Sequence, residues 1–178
     1  MHIQPKTEHD PVADLVMPDA YMLWSLLAAE EVIGKQELAN VLRQAGLKQL
    51  IDNYPPDYMN TTRELNSGHY ASLLAGLLNR AEPDSQGTLS RIGLLSAKYS
   101  IDRQSALFNL TALLALKVMP VPLQLKMGLE NMQSGFRRLW HTFGQTLDLR
   151  MEDRGDKLAY NAAACPMCAG QQADGLMC

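Results

Sequence analysis

The residues best suited to chemistry in this chain are its three cysteines. All three stand in the final stretch, "NAAACPMCAGQQADGLMC", at Cys165, Cys168 and Cys178. The first two form a Cys-x-x-Cys pair. Zinc takes four ligands in a tetrahedron, and such a pair supplies two of them from one tight turn. Pro166 inside the pair helps to fix that turn, and Cys178 can swing back as a third ligand. The fourth must be remote, with His141 and Asp174 as candidates. Two other readings stay open, reduced thiols without metal and a redox pair. The redox reading fits less well, because a thioredoxin-like Cys-x-x-Cys lies near a βαβ pattern, whereas "AGQQADG" reads as a loop.

The other candidate groups have ordinary readings beside them. Asp174 before Gly175 is also a turn residue. His141 beside Trp140 reads first as an ordinary surface or core histidine, and His69 as an exposed first-turn residue. His2 and His9 fall in a tail. No histidine pair has metal spacing, so a catalytic zinc built on histidine is not expected. The chain has no nucleophile with a base at suggestive spacing, no phosphate-cradling glycine loop and no dinucleotide fingerprint.

Composition sets the frame for these residues. A chain of 178 residues with 47% hydrophobic and 20% charged content is enough for one ordinary domain with a real core. A net charge of −3 announces no basic surface, so direct nucleic acid binding is not expected. The N-terminus has no apolar run like that of a signal peptide. The most apolar stretch, "LFNLTALLALKVMPVPL", is broken by Lys117, Pro120 and Pro122 and falls short of the roughly 20 apolar residues that span a bilayer. The expectation is a cytoplasmic protein that does not engage a membrane. Three cysteines without a secretory signal also argue against a disulfide framework.

The elements that must position these groups read as helices first and a short β segment last. Residues 1–17 look like a tail, partly ordered by Leu15, Val16 and Met17. Asp19, after Pro18, is placed to cap a helix running to about Ile33, where Gly34 ends it. Leu38, Val41, Leu42 and Ala45 then mark one face of a second helix. Asn66 or Ser67 caps a third, with Tyr70, Leu73 and Leu77 on one side. Leu89, Ile92, Leu95 and Tyr99 mark a fourth, and a fifth is expected from about Arg103 to Met119. After Pro120, the residues Val121, Leu125, Leu129, Met132, Phe136 and Leu139 recur every three or four positions, with Lys126, Glu130, Gln133 and Arg137 opposite them. That is an amphipathic helix.

The period then changes from 3.6 to 2. Leu147, Leu149 and Met151 alternate with polar residues, "EDRGD" turns the chain, and Leu158, Tyr160 and Ala162 alternate again. The fold class expected is α+β: a mainly helical body, then a short antiparallel β-hairpin over residues 145–163 and a Cys-rich loop. A lone hairpin is marginal in water and leaves two open edges.

Four segments in order, "AGLKQLIDNYPPDYMN", "RIG" at Arg91 to Gly93, "LKVMPVPLQLKMGLENM" and "ACPMCAGQQADGLMC", together resemble the 4-vinyl reductase domain family across about residues 18–178. These are small-ligand-binding domains related in fold to heme-nitric-oxide sensor domains and to Golgi transport tethering subunits. The resemblance implies a single domain with a helical body on a twisted antiparallel sheet and an apolar pocket between them. Members occur in bacteriochlorophyll synthesis, in hydrocarbon-handling proteins and in aromatic-responsive regulators. In some of those regulators cysteines and a carboxylate hold zinc near this position. In the family a further helix and a second hairpin follow the third cysteine. This chain stops at Cys178, so a C-terminally truncated domain with an incomplete sheet is expected.

On this basis a pocket is expected between the helix of residues 121–139 and the Leu-rich helix before it. Its lining would be Leu110, Leu114, Met119, Leu125, Leu129, Met132 and Phe136, with Leu125 and Met132 facing inward. Methionine suits adaptable apolar pockets, although ordinary core filling accounts for it too. Arg137, Arg138 and Lys126 are either solvated charge or an attraction for an anionic substituent on a greasy ligand. The expected function is a non-enzymatic binding or sensor domain for a small apolar, aromatic or tetrapyrrole-like molecule, with a zinc site on cysteines. One alternative is a scaffold that dimerises through its hairpin edge. Another is an accessory enzyme of bacteriochlorophyll or tetrapyrrole metabolism. A homodimer would bring two cysteine clusters together and complete a tetrahedral zinc set.

Overall fold

Helix α1, Asp19–Ile33, is apolar around most of its circumference, and the first part of the fold follows from enclosing it. A helix with no polar face belongs inside. The computed structural model describes residues 10–80, 84–104, 119–144, 146, 149–155 and 158–162. In it Ala20, Met22, Leu26, Ala28 and Ala29 of α1 are fully enclosed. The described residues are mostly helical and fall into two compact units, one ending at Tyr99 and the other beginning at Ser100.

In the first unit α1 is covered by α2, Lys35–Gln44, by α3, Ser67–Leu78, and by α4, Ser85–Gln104, whose residues up to Tyr99 belong here. Each contributes a narrower apolar stripe: Leu38, Val41 and Leu42 from α2, Leu73 and Leu77 from α3, and Ile92 from α4. Leu47, Leu50 and Leu65 from the connections close the same core. Each fully buried leucine contributes about 1.5–3 kcal/mol. Two glycines make this packing possible. Gly34, at φ +80° and ψ 154°, occupies a region essentially reserved for glycine, and it passes the chain from α1 to α2 in one residue. Gly76 lets α3 lie close on α2, since a Cβ there would stand 3.0 Å from Val41 Cγ1.

The start of α1 is not capped as the local pattern suggests. Its N-cap is Pro18, which has no capping side chain. The loop before α3 supplies the acceptors instead. Asp19 N–H donates to the Asn60 carbonyl (2.8 Å) and Ala20 N–H to the Tyr58 carbonyl (3.0 Å). Asp19 is therefore the first helical residue and is fully buried. Its carboxylate accepts from Thr62 N–H (2.9 Å), the Thr62 hydroxyl and Arg63 N–H (3.2 Å). It fastens the loop to the helix. The described residues ahead of α1 are tied down as well, Leu15, Val16 and Met17 among them. Pro11–Asp14 form a short 3-10 turn, Val16 bridges to Asn66, and Met17 is buried.

Helix α3 begins at Asn66, whose side chain accepts from His69 N–H (3.0 Å) while Asn66 N–H donates to His69 Nδ1 (3.2 Å). This is a reciprocal capping box with histidine in the place where Glu or Gln usually stands. Helix α4 runs without interruption to Gln104, into the stretch from about Arg103 where a separate fifth helix is expected. Most of the fifth helix expected from the sequence lies outside the described residues.

In the second unit α5, Val121–Thr142, starts directly after Pro120 with Pro122 in its first turn, where a missing N–H costs nothing. Trp140 is buried, and Phe136 meets it edge-on at 5.8 Å. Strands β1, Leu149–Asp153, and β2, Leu158–Ala162, pair antiparallel. The register sets Met151 opposite Tyr160 and Arg150 opposite Asn161. In the turn, Gly155 N–H donates to Asp153 Oδ1 (3.0 Å). The same carboxylate meets Lys126 Nζ of α5 at 3.3 Å. The Gly155 N–H and then the Lys126 ammonium hold the Asp153 carboxyl below its usual range.

Candidate functional site

Several expected site residues, Cys165, Cys168, Cys178, Asp174, Leu110 and Leu114, lie outside the described residues. His141 sits in the last turn of α5 and is exposed. Among the described residues no three His, Cys, Asp or Glu side chains gather where they would hold a metal. Met132 falls within α5, and Met119 precedes it, half-buried, with its carbonyl accepting from Gln124 Nε2 (2.6 Å). Leu129 and Phe136 are half-buried.

Leu125 departs from expectation. Its stripe predicts an inward-facing side chain, yet it is 55% exposed, and its neighbours Val121 and Leu123 are 73% and 43% exposed. The spacing of an apolar stripe tells which residues share a helix face. It does not tell whether another element covers that face, and at the start of α5 solvent reaches it.

A concave site appears instead on α2, where the sequence pattern suggests none. After Gly46 the chain doubles back through a 3-10 turn, Lys48–Leu50, and Leu47 and Leu50 are buried in the core there. This reversal lays residues 51–54 beside α2 and leaves a groove of about 250 Å³ between them. Ala39, Ile51 and the Tyr54 ring give it apolar surface, with the buried Leu38 and Leu42 beneath. Lys35, Arg43 and Asp52 bring charge to its rim.

The polar groups of the rim are fixed in distinct ways. Lys35 Nζ pairs with Asp52 Oδ1 at 2.6 Å, both side chains being well exposed. The hydrogen bond to Asp52 and its charge raise the Lys35 ammonium above its ordinary value. Asp52 itself has φ +55°, a left-handed conformation that a non-glycine residue seldom adopts. Tyr54 donates its hydroxyl to Glu30 Oε2 at 2.6 Å, and burial followed by that bond pushes the phenol above its usual range. Arg43 Nη1 donates to the Asn40 side-chain oxygen at 2.8 Å. Asn40 in turn donates to Glu37 Oε2 (3.3 Å), and Glu37 Oε1 accepts from Arg80 Nε (3.3 Å).

A second polar cluster lies inside the first unit. Ser25 Oγ is 2.9 Å from the Tyr70 hydroxyl and 3.3 Å from Ser96 Oγ. Burial pushes the phenols of Tyr70 and Tyr21 above the usual tyrosine range, with Tyr70 adding to the effect at Tyr21. Through Ser25 and Ser96 the Tyr70 hydroxyl links α3 to α1 and α4. Trp24 Nε1 likewise donates to Asp57 Oδ1 at 2.9 Å. These residues fasten helices together and surround no described cavity.

The sequence does not reveal the groove because its parts are ordinary one by one. "NYPP" is by itself a turn signal, and Lys35 and Arg43 belong to no motif. The available signal is their placement either side of Leu38, Ala39 and Leu42 on one helix. No helix of the described residues is long and apolar enough to cross a membrane. Comparison with protein-family models, with curated proteins and with solved structures finds no match.

Proposed function

We propose that this chain is a non-enzymatic binding module for a small molecule with an apolar body. The observation that carries this reading is the α2 groove, about 250 Å³ in volume, whose lining sets Ala39, Ile51 and Tyr54 among a few fixed polar groups. That combination is what small-molecule sites share. Leu38 and Leu42 beneath the groove belong to the core of the first unit, so the helix that forms one wall is held in place before a ligand arrives. The resemblance to the 4-vinyl reductase domain family points to the same class of function. Under that resemblance Cys165, Cys168 and Cys178 bind about one zinc per chain, or one shared between two chains. A thermal-shift screen of small apolar and aromatic compounds tests the binding reading. A ligand at a hundred times its Kd stabilises by about 2.7 kcal/mol. A broad screen with no shift overturns it. Metal analysis of protein purified without chelator tests the zinc, and three freely titrating thiols with no metal reject it.

A second reading, a scaffold that dimerises, has its own support. Val121, Leu123 and Leu125 present apolar surface at the start of α5, and such surface marks sites where another protein packs. Sedimentation across a dilution series, with and without a zinc chelator, tests it. A monomer under both conditions removes it.

A further inference from the structure

Resting on the binding-module reading, we propose that the α2 groove takes a small monocarboxylate, its carboxylate on the Arg43 guanidinium and its apolar body on Ala39, Ile51 and the Tyr54 ring. The two cations of the groove are not equivalent. Lys35 is already matched by Asp52 at 2.6 Å. Arg43 is held by a neutral amide oxygen, and among the described residues it has no carboxylate partner. The nearest acidic side chain in its network, Glu37, is engaged by Arg80.

The same network orients Arg43. Arg80, Glu37, Asn40 and Arg43 form a continuous chain of hydrogen bonds, three of its members spaced three residues apart along α2. One of the five guanidinium donors goes to Asn40. The remaining donors form the planar fork that matches a carboxylate with two parallel hydrogen bonds. An orienting partner lowers the entropy lost when the ligand binds.

The remaining features set size and direction. An apolar cavity of about 150 Å³ holds one benzene, so a groove of about 250 Å³ takes a ring or short chain bearing a small acid group. Asp52 stands on the same groove as Arg43 but at the Lys35 end. Its negative charge disfavours a second anionic group there, which selects a monoanion and turns its carboxylate toward Arg43.

The test titrates the full chain with phenylpropanoate, hexanoate and phenylpropanamide, followed by amide shifts in NMR spectra. Two variants are compared, Arg43→Gln and Ala39→Phe, the second filling the groove without altering charge. Both carboxylates should bind in the groove, with the amide at least about tenfold weaker, as expected for loss of a hydrogen bond to a charged group. Arg43→Gln should weaken the carboxylates by a similar factor and leave the amide unchanged. Ala39→Phe should abolish binding of all three while the unfolding midpoint stays at the wild-type value. Equal affinity for acid and amide, with both lost in Ala39→Phe, overturns the carboxylate assignment and leaves the binding module standing. Binding that neither substitution affects overturns the groove as its place. If no probe binds at millimolar concentration, the inference is overturned, and the broad apolar screen then decides the module itself.

Discussion

Leu42 and Leu125 hold the same kind of position in the sequence, each in an apolar stripe of helical period. Leu42 is 1% exposed and Leu125 is 55% exposed. The difference lies in what each helix has to pack against. Helix α2 follows α1 after a single glycine and packs on it, and α1 has no polar face to lose by contact. The first turns of α5 carry Val121, Leu123 and Leu125 into solvent, while its last turn buries Trp140. Periodicity alone therefore reports a capacity for burial. The energy appears only where a second apolar surface meets the first.

The largest test of this contrast is a pair of truncations. Leu42→Ala should cost about 2–5 kcal/mol, as for a leucine removed from a packed core. Leu125→Ala should stay within about 0.5 kcal/mol, as for a surface change. Urea unfolding followed by circular dichroism measures both. Equal losses would break the comparison and mean that Leu125 is covered in solution, which would favour the dimer reading.

The next test concerns how the first unit is fastened. Asp19→Ala should cost about 1–3 kcal/mol, because the amides of Thr62 and Arg63 lose a buried acceptor. Hydrogen exchange at those two amides should accelerate while exchange in α3 stays slow. If the whole unit loosens together, the carboxylate supports more than the loop.

Alkali sharpens the same point. The phenols of Tyr21, Tyr54 and Tyr70 are pushed above the ordinary value of 10 chiefly by burial. A raised folded value means that their contribution is complete below about pH 10 and is lost as pH rises beyond it, because the unfolded chain releases those protons first. Ionisation of the three should coincide with loss of helix. Phenolate absorbance appearing while far-ultraviolet dichroism is unchanged would show that the interior admits water.

The smallest effect belongs to the second unit. Asp153 is held below its ordinary value of 3.8 by the Gly155 N–H and then by Lys126. A depressed folded value means that its contribution is present above that pH and disappears as pH falls below it. Both partners are exposed, so salt screens the Lys126 pair and the effect on stability is slight. Acid should shift the Gly155 amide resonance before any helix melts, and Asp153→Asn should remove that response.

Local signals served best where the cause of a structure lies within a few residues. Gly34 between α1 and α2, Asn66 ahead of α3 and Pro120 ahead of α5 each mark a helix boundary through their own backbone preference. The continuity of α4 through Tyr99 was not legible, because nothing in "KYSIDRQ" either stops or requires a helix.

What the sequence determined by itself is the helical body and the stripes that its helices can bury, since turn residues and a 3.6-residue period act locally. What only the tertiary structure decided is which charges and stripes find partners. Asp19 looks like a cap, and its acceptor role depends on residues 43 and 44 positions away. The groove depends on a chain reversal after Gly46 that brings Asp52 to Lys35. Among the described residues Arg43 bonds no carboxylate, and Glu37 of its network bonds Arg80, 43 positions along the chain. Electrostatic and packing partners are chosen by distance in space, and spacing along the chain does not carry that distance until the core has closed.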